Sequence, residues 1–429
     1  MSATQERTGG ATRSVRAAKP SGPSGPSRPT TTGTSGRLLD RPLTSYHLIV
    51  GCSALLLALG LVMVLSASSV ESFKLTGSST SIFQKQAVWA VVGVPAMWAV
   101  SRTPVRILRM MAIPLLLGSI ALLCLVLVPG IGKSVNGNQN WIDFGGPFRI
   151  QPSEAAKLAI VVWGADLLAR KEKLLTQWRH LLVPLVPVSG LLVALVMAGG
   201  DLGTTVILLV IVAALLFVVG APARLFVLLG GAVLLGIALL SVTSAHRLSR
   251  FKTMLNPDAA YLGAGWQAMH ARFALGSGGW WGLGLGGSRQ KWGDLPEAHT
   301  DFIFAVIGEE LGLMGTGAVL ALFGLIIYAG IRIALRSQDL FSRLCAAGLT
   351  AWIAVQALIN IGAVLGLLPI AGVPLPLVSY GGSALLPMLV ALGLLLAFAR
   401  NEPGAAAALA ARKVGPVGRM AGRLRRRSA

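Results

Sequence analysis

Hydrophobic residues along this chain are gathered into long uncharged runs separated by short polar stretches. Ten of those runs, at about 46–68, 83–100, 108–129, 154–169, 181–199, 203–220, 223–243, 302–332, 342–370 and 383–400, are long enough to cross ~30 Å of hydrocarbon as helices. The eighth and ninth are overlong for a perpendicular span, so they are expected to tilt, break or extend beyond the bilayer. The pattern predicts an all-α polytopic integral membrane protein with ten transmembrane helices, occupying residues 45–400.

Composition supports that class. Of 429 residues 54% are hydrophobic and 12% charged, where a soluble domain carries about 25% charged. Cys52, Cys124 and Cys345 each sit inside an apolar run, without metal-like spacing. No disulfide framework, zinc site or thiol chemistry is therefore expected.

The net charge of +21 raises the possibility of a nucleic-acid partner, but its distribution argues against one. Residues 1–44 carry seven basic side chains, and 25 of the 44 are Ser, Thr, Gly or Pro, the composition of a disordered basic tail. The first apolar stretch begins near Tyr46, too far in for a cleaved signal peptide. Residues 401–429 run from an Ala-rich stretch to Arg423, Arg425, Arg426 and Arg427, a second basic tail. Both tails suit anionic membrane lipids. Placing the N-terminus inside assigns 26 of the 37 basic residues to the inner side, which predicts cytoplasmic termini and external loops at 130–152 and 244–301.

Polar chemistry collects on that outer face. The Gly-rich loop 130–152 runs into PSEAAK, where Pro152 marks a loop-to-helix junction and Ser153 is a candidate cap. Glu154 and Lys157, three apart, share a helix face and are either a structural ion pair or the lining of a polar cavity. Asp201 is expected to cap helix six. Arg247 and Arg250, followed by Lys252, Arg272, Arg289 and Lys291, form a basic group suited to an anionic substrate such as a lipid pyrophosphate. GSGGWWGLGLGG at 276–287 lacks the GK[ST] ending of a phosphate loop, so no nucleotide is expected.

LPEAHTDFIFAVIGEELG, residues 295–312, brings Glu297, His299 and Asp301 to the entry of helix eight. Thr300 is expected to cap that helix, with Asp301 in its first turn, where a carboxylate complements the dipole. Glu309 and Glu310 lie two turns deeper, where inter-helix hydrogen bonding is the plainer reading. The loop 371–383, AGVPLPLVSYGGS, is uncharged and rich in Pro and Gly. Irregular backbone of that kind is tolerated only where protein or a water-filled cavity surrounds it.

VNGNQNWI, QPSEAAK, DLGTT, GSGG, LPEAHTDFIFAVIGEELG and PLPLVSYGGS, in this order, resemble the SEDS family (shape, elongation, division and sporulation) of bacterial cell-wall synthases over residues 45–400. GGSRQKWGDLPEAHTDFIFAVIGEELG is closer to the division branch than to the elongation branch, and the Ala/Arg-rich composition resembles actinobacterial members. The resemblance implies a peptidoglycan glycosyltransferase that polymerises lipid II at the outer face of the cytoplasmic membrane, at the division septum. It implies Asp301 as the essential carboxylate, with Glu154 and Lys157 facing it and Ser379 nearby. Arg247, Arg250 and His299 join these as candidate substrate-binding residues. The implied partners are a class B penicillin-binding protein and other division proteins, the transpeptidase's single helix packing on helices eight and nine where Ala346, Ala347 and Gly348 would allow close approach. Two stretches depart from the family pattern: Asn138 to Asn140, and AMHARFALGSGG with His270 and Arg272.

Glycosyl transfer to a hydroxyl needs a base for the proton and positive charge for the departing pyrophosphate. No second carboxylate stands beside Asp301 as a nucleophile, which favours single displacement with inversion. A magnesium or manganese ion is the expected cofactor, drawn by the pyrophosphate, although no ligand set is readable. The competing readings are a flippase for lipid-linked precursors and a non-catalytic division scaffold.

Overall fold

The computed structural model describes residues 43–135, 138–145, 149–175, 177–242 and 264–405. Each of the ten apolar segments is occupied by helix: α1 (Thr44–Thr76), α2 (Ser81–Ser101), α3 (Val105–Met110), α4 (Ala112–Leu127), α5 (Pro152–Arg170), α6 (Trp178–Leu182), α7 (Leu185–Ala198), α8 (Leu202–Val219) and α9 (Ala223–Val242). α10 (Ala264–Ser277) lies in the long loop, followed by α11 (Ile303–Arg336), α12 (Leu340–Val364) and α13 (Leu385–Arg400). Among the described residues five helical segments, α1, α8, α11, α12 and Gly382–Arg400, are long and apolar enough by themselves to cross a membrane.

α5 is not one of the five, for a physical reason. It carries Glu154, Lys157, Asp166 and Arg170, and 15 of its 19 residues are buried. Packed against α4, α8 and α12, it meets protein rather than lipid and need not be apolar. At its other end Asp166 accepts from Arg109 (2.8 Å) and Arg170 (2.7 Å).

Two long helices extend past the apolar runs that predicted them. α1 continues through Ser68, Ser69, Glu71 and Lys74, and α11 breaks at Gly312 (φ 66°, ψ −162°), backbone open only to glycine. Counted from the turn between Arg336 and Leu340, residues 313–336 of α11 rise about 36 Å, while Asn360 stands about 30 Å along α12. Asp301, beyond the break, nevertheless meets Asn360. The buried fragment 303–310 therefore turns away from the α11 axis instead of continuing outward.

The loop 130–152 departs from the all-α expectation. It forms a small antiparallel sheet of β1 (Gly132–Val135), β2 (Asn138–Asp143) and β3 (Arg149–Ile150), in the order β1-β2-β3. The residues that depart from the family pattern dock this sheet. Gln139 N donates to Gly199 O (3.1 Å) and Gln139 Nε2 to Val126 O (3.1 Å), and the Asn140 amide, oriented to donate, reaches Gly199 O at 2.6 Å.

Ala346 and Gly348 do not offer a face to a partner helix. Both are buried, and a Cβ at Gly348 would meet Val161 of α5 and Leu215 of α8 at 3.0 and 3.3 Å. The small residues serve packing within the bundle. The expected tails lie almost wholly outside the described residues, as do Arg247 and Arg250.

Candidate active site

Loop 371–383 is the floor on which the site is assembled. Val373, Leu375, Leu377, Val378 and Ser379 are buried, and the backbone of Leu377 and Val378 presses on α1 at Gly60, where a Cβ would collide with it. Its irregular backbone is thus surrounded by protein, as the sequence required. Ser379 Oγ accepts from Leu375 N (2.8 Å), and Ser379 O accepts from Gln86 Nε2 of α2 (3.2 Å). The hydroxyl expected to meet substrate therefore spans one turn of this loop.

Two amides on one face of α12 hold the loop from the other side. Gln356 Nε2 donates to Pro374 O (3.0 Å), and one turn further Asn360 Nδ2 donates to Val373 O (2.8 Å) and to Asp301 O (2.9 Å). Gln356 Oε1 in turn accepts from Lys157 Nζ (2.9 Å) and Trp352 Nε1 (2.7 Å), and Lys157 Nζ donates to Glu154 Oε1 (2.7 Å). Lys157 is fully buried and Glu154 nearly so, and Glu154 Oε2 has no hydrogen-bond partner among the described residues. Glu154 and Lys157 are a structural ion pair facing protein, joined to Asp301 through Gln356, loop 371–383 and Asn360.

Asp301 does not sit where its helix was expected to begin. α11 starts at Ile303 without a side-chain cap, and Thr300 Oγ1 donates instead to Glu297 Oε2 (2.7 Å). Glu297 has φ 56°, and its carbonyl accepts from Thr300 N and Phe302 N, so Asp301 rides on a tight turn just before the helix. It lines a shallow recess with Phe302, Ile359, Asn360, Ile370 and Gly372. Ser153 is likewise not a cap: Gln151 holds that position, Pro152 begins α5, and Ser153 Oγ reaches Asp201 Oδ2 at 3.5 Å. Asp201 does cap α8, accepting from Thr204 N (2.9 Å).

His299 is buried, with Nδ1 3.2 Å from Glu71 Oε2 and its carbonyl accepting from Tyr380 N (2.9 Å). Its ring lies 5.5 Å from that of Tyr380, whose phenol is pushed up by burial. His270 is remote in role: Nδ1 lies 2.6 Å from Gln290 Oε1, and the ring stacks on Trp266 at 4.1 Å. Gln86, Gln356, Asn360 and Glu71 were missed in the sequence. The spacing of Gln356 and Asn360, four apart in a stretch of α12 that is otherwise apolar beyond Thr350, was the available signal.

Residues 46–403 match the sequence family described as "Cell cycle protein", that of FtsW, RodA and SpoVE. The chain belongs to the FtsW/RodA/SpoVE family. Among its relatives, a probable peptidoglycan glycosyltransferase FtsW of Mycobacterium tuberculosis is 45% identical over 385 residues, covering 90% of this chain and 73% of the relative. Stage V sporulation protein E of Bacillus subtilis is 40% identical over 353 residues, covering 82% and 96%. Two solved structures share the fold. One is a chain of a peptidoglycan synthase complex described as coordinating polymerization and crosslinking, with TM-score 0.68, 29% identity and coverage of 82% of this chain and 97% of that one. The other is the rod shape determining protein RodA of Thermus thermophilus, with TM-score 0.61, 28% identity and coverage of 83% and 97%. This FtsW/RodA/SpoVE protein is therefore a multi-pass membrane protein of that fold.

Proposed function

We propose that the protein is a peptidoglycan glycosyltransferase that polymerises lipid II at the outer face of the cytoplasmic membrane during cell division. The observation that carries this reading is the meeting of Asp301 and the Lys157–Glu154 pair on one buried loop, through two amides one turn apart on α12. In the reaction the acceptor's sugar 4-hydroxyl forms a bond to C1 of the donor glycan. The C1–oxygen bond to undecaprenyl pyrophosphate breaks, and the leaving group takes the electron pair. The hydroxyl proton passes to the Asp301 carboxylate, a general base placed before the positive end of the α11 fragment.

Glu154, Lys157, Gln356, Asn360 and Ser379 act by position in this reading: they fix the loop and the Asp301 turn. His299 borders the same turn. Arg247 and Arg250 retain their sequence-based assignment to the pyrophosphate. Among the described residues no three His, Cys, Asp or Glu side chains converge on a cation site. A magnesium or manganese ion held mainly by the substrate's pyrophosphate takes one or two protein carboxylates; Asp301 is the carboxylate this site would supply, and the ion would support the charge of the departing pyrophosphate.

The partner in this reading is a class B penicillin-binding protein, and the place is the division septum. Membership beside a chain from a complex that couples polymerization and crosslinking supports the partner, and the 45%-identical FtsW supports the division role. The test is polymerisation of purified lipid II by the purified protein, alone and with that partner. Glycan strands are the expected product in the complex; their absence with both proteins folded would overturn the reading.

A further inference from the structure

The two glutamates of IGEELG lie outside the site described above, yet both are fully buried and both are bonded. Where Gly312 breaks α11, the carbonyls of Glu309 and Glu310 lose their helical donors, Leu313 N and Met314 N. They accept instead from Leu283 N (2.9 Å) and Gly284 N (3.0 Å), while Leu313 N and Met314 N donate to Gly279 O (2.9 Å) and Trp280 O (3.3 Å). The glycine-rich loop thus heals the helix break with four backbone bonds, which is the use the structure makes of GSGGWWGLGLGG.

The side chains bind the next stretch of that loop. Glu310 accepts from Ser66 Oγ of α1 (2.7 and 2.8 Å), from Lys291 Nζ (3.1 Å) and from Ser288 N (3.3 Å). Glu309 accepts from Ser288 Oγ (2.5 Å) and Arg289 N (2.9 Å). Lys291, its side chain 5% exposed, also donates to Gly286 O (2.7 Å) and Ser66 Oγ (3.2 Å). A buried ionic cluster is a weak source of net stability, because desolvation offsets the attraction; its geometric effect is to fix a register.

That register bears on Asp301. Segment 288–310 leaves the cluster at Ser288–Lys291 and returns to it at Glu309–Glu310, so the cluster closes it into a ring with Asp301 at the far side. Trp292 O accepts from Lys74 Nζ (3.3 Å) and Asp294 O from Trp266 Nε1 (2.6 Å) along one arm, and the buried helix 303–310 forms the other. We propose that Lys291, Glu310 and Ser66 are positioning residues for glycosyl transfer: they latch the ring to α1 and thereby hold Asp301 against Asn360. The proposal rests on the reading of Asp301 as the essential carboxylate.

The test uses the full-length protein with its transpeptidase partner, Cys124→Ser to remove the exposed native thiol, and spin labels at Thr76→Cys and Asp294→Cys to report the distance between α1 and the ring. Lys291→Met and Glu310→Gln are each expected to lower kcat for lipid II polymerisation about tenfold or more with KM within about twofold, and to broaden the distance distribution. Lys291→Arg is expected to retain both, and Ser66→Ala, which leaves the charges paired, to give a smaller change in the same sense. Normal kcat in these variants, or kcat lost with the distance unchanged, would overturn the latch. Asp301→Asn separates the two readings: it is expected to stop polymerisation while leaving the distance as in the parent. An active Asp301→Asn would remove the assignment of Asp301, and the distance measurement would still decide whether the latch fixes the ring.

Discussion

Gln356 and Asn360 stand one turn apart on α12 and donate to the carbonyls of Pro374 and Val373 at 3.0 and 2.8 Å. One helix face thereby holds the buried loop in place. It also carries the two links that join that loop to the charged residues, Lys157 through Gln356 and Asp301 through Asn360.

Asn360→Ala removes the donor to the buried Val373 carbonyl and to the half-buried Asp301 carbonyl at once. Leaving such groups unsatisfied costs about 1–3 kcal/mol; if that loss falls on the position of Asp301, kcat declines by about 5- to 150-fold. Steady-state polymerisation of lipid II measures it, and Asn360→Asp, which keeps the size but loses the amide donor, is expected to be comparably impaired.

Lys157→Met leaves Glu154 buried opposite an apolar chain. Removal of one partner of a buried pair destabilises by about 3–5 kcal/mol, whereas removal of both is far milder. Thermal unfolding in detergent should therefore show a large drop for Lys157→Met and substantial recovery in Lys157→Met/Glu154→Gln. Equal destabilisation of the single and double variants would contradict the pairing.

The outer sheet carries its own pH dependence. Asp143 is held down to about 2 from an ordinary 3.8, first by the hydrogen bond from Lys133 Nζ (2.8 Å), then by that from Gly145 N (2.9 Å). A depressed carboxylate contributes above its unfolded value and loses that contribution as pH falls toward its folded one. Hydrogen exchange in the β1–β2 pair, corrected for intrinsic rates, should rise between about pH 4 and pH 2, and Asp143→Asn should flatten that rise.

The distribution of basic residues predicts cytoplasmic termini and an external loop 130–152. With Cys124 replaced, a cysteine at Phe144, exposed beside β2, should react with an impermeant thiol reagent in cells stripped of outer barriers, and one at Lys173 should not. The opposite labelling would invert the topology.

The apolar runs made the helices legible, because a membrane span must satisfy its backbone within itself whatever it packs against. The excess length of the eighth run allowed for a break but did not place it at Gly312, since glycine is common in such helices and the loop that heals the break lies some thirty residues earlier in the chain. Residues 130–152 read as loop because β1 and β2 are short and polar, held by docking onto Gly199 rather than by an apolar face. For the site, Asp301, Glu154, Lys157, His299 and Ser379 stood out by residue type and by family resemblance. The roles of Lys157 and Ser379 depended on partners far away in sequence: 199 residues separate Lys157 from Gln356, and no local spacing encodes that.

The proposed reaction turns on Asp301 as the carboxylate of glycosyl transfer. Asp301→Asn keeps the size of the side chain and the backbone bond to Asn360 while removing the charge. With the purified complex and lipid II, this variant is expected to make no glycan polymer, with expression, thermal stability and co-purification with the transpeptidase unchanged. Polymerisation at near-parental rate by the Asn variant would contradict it.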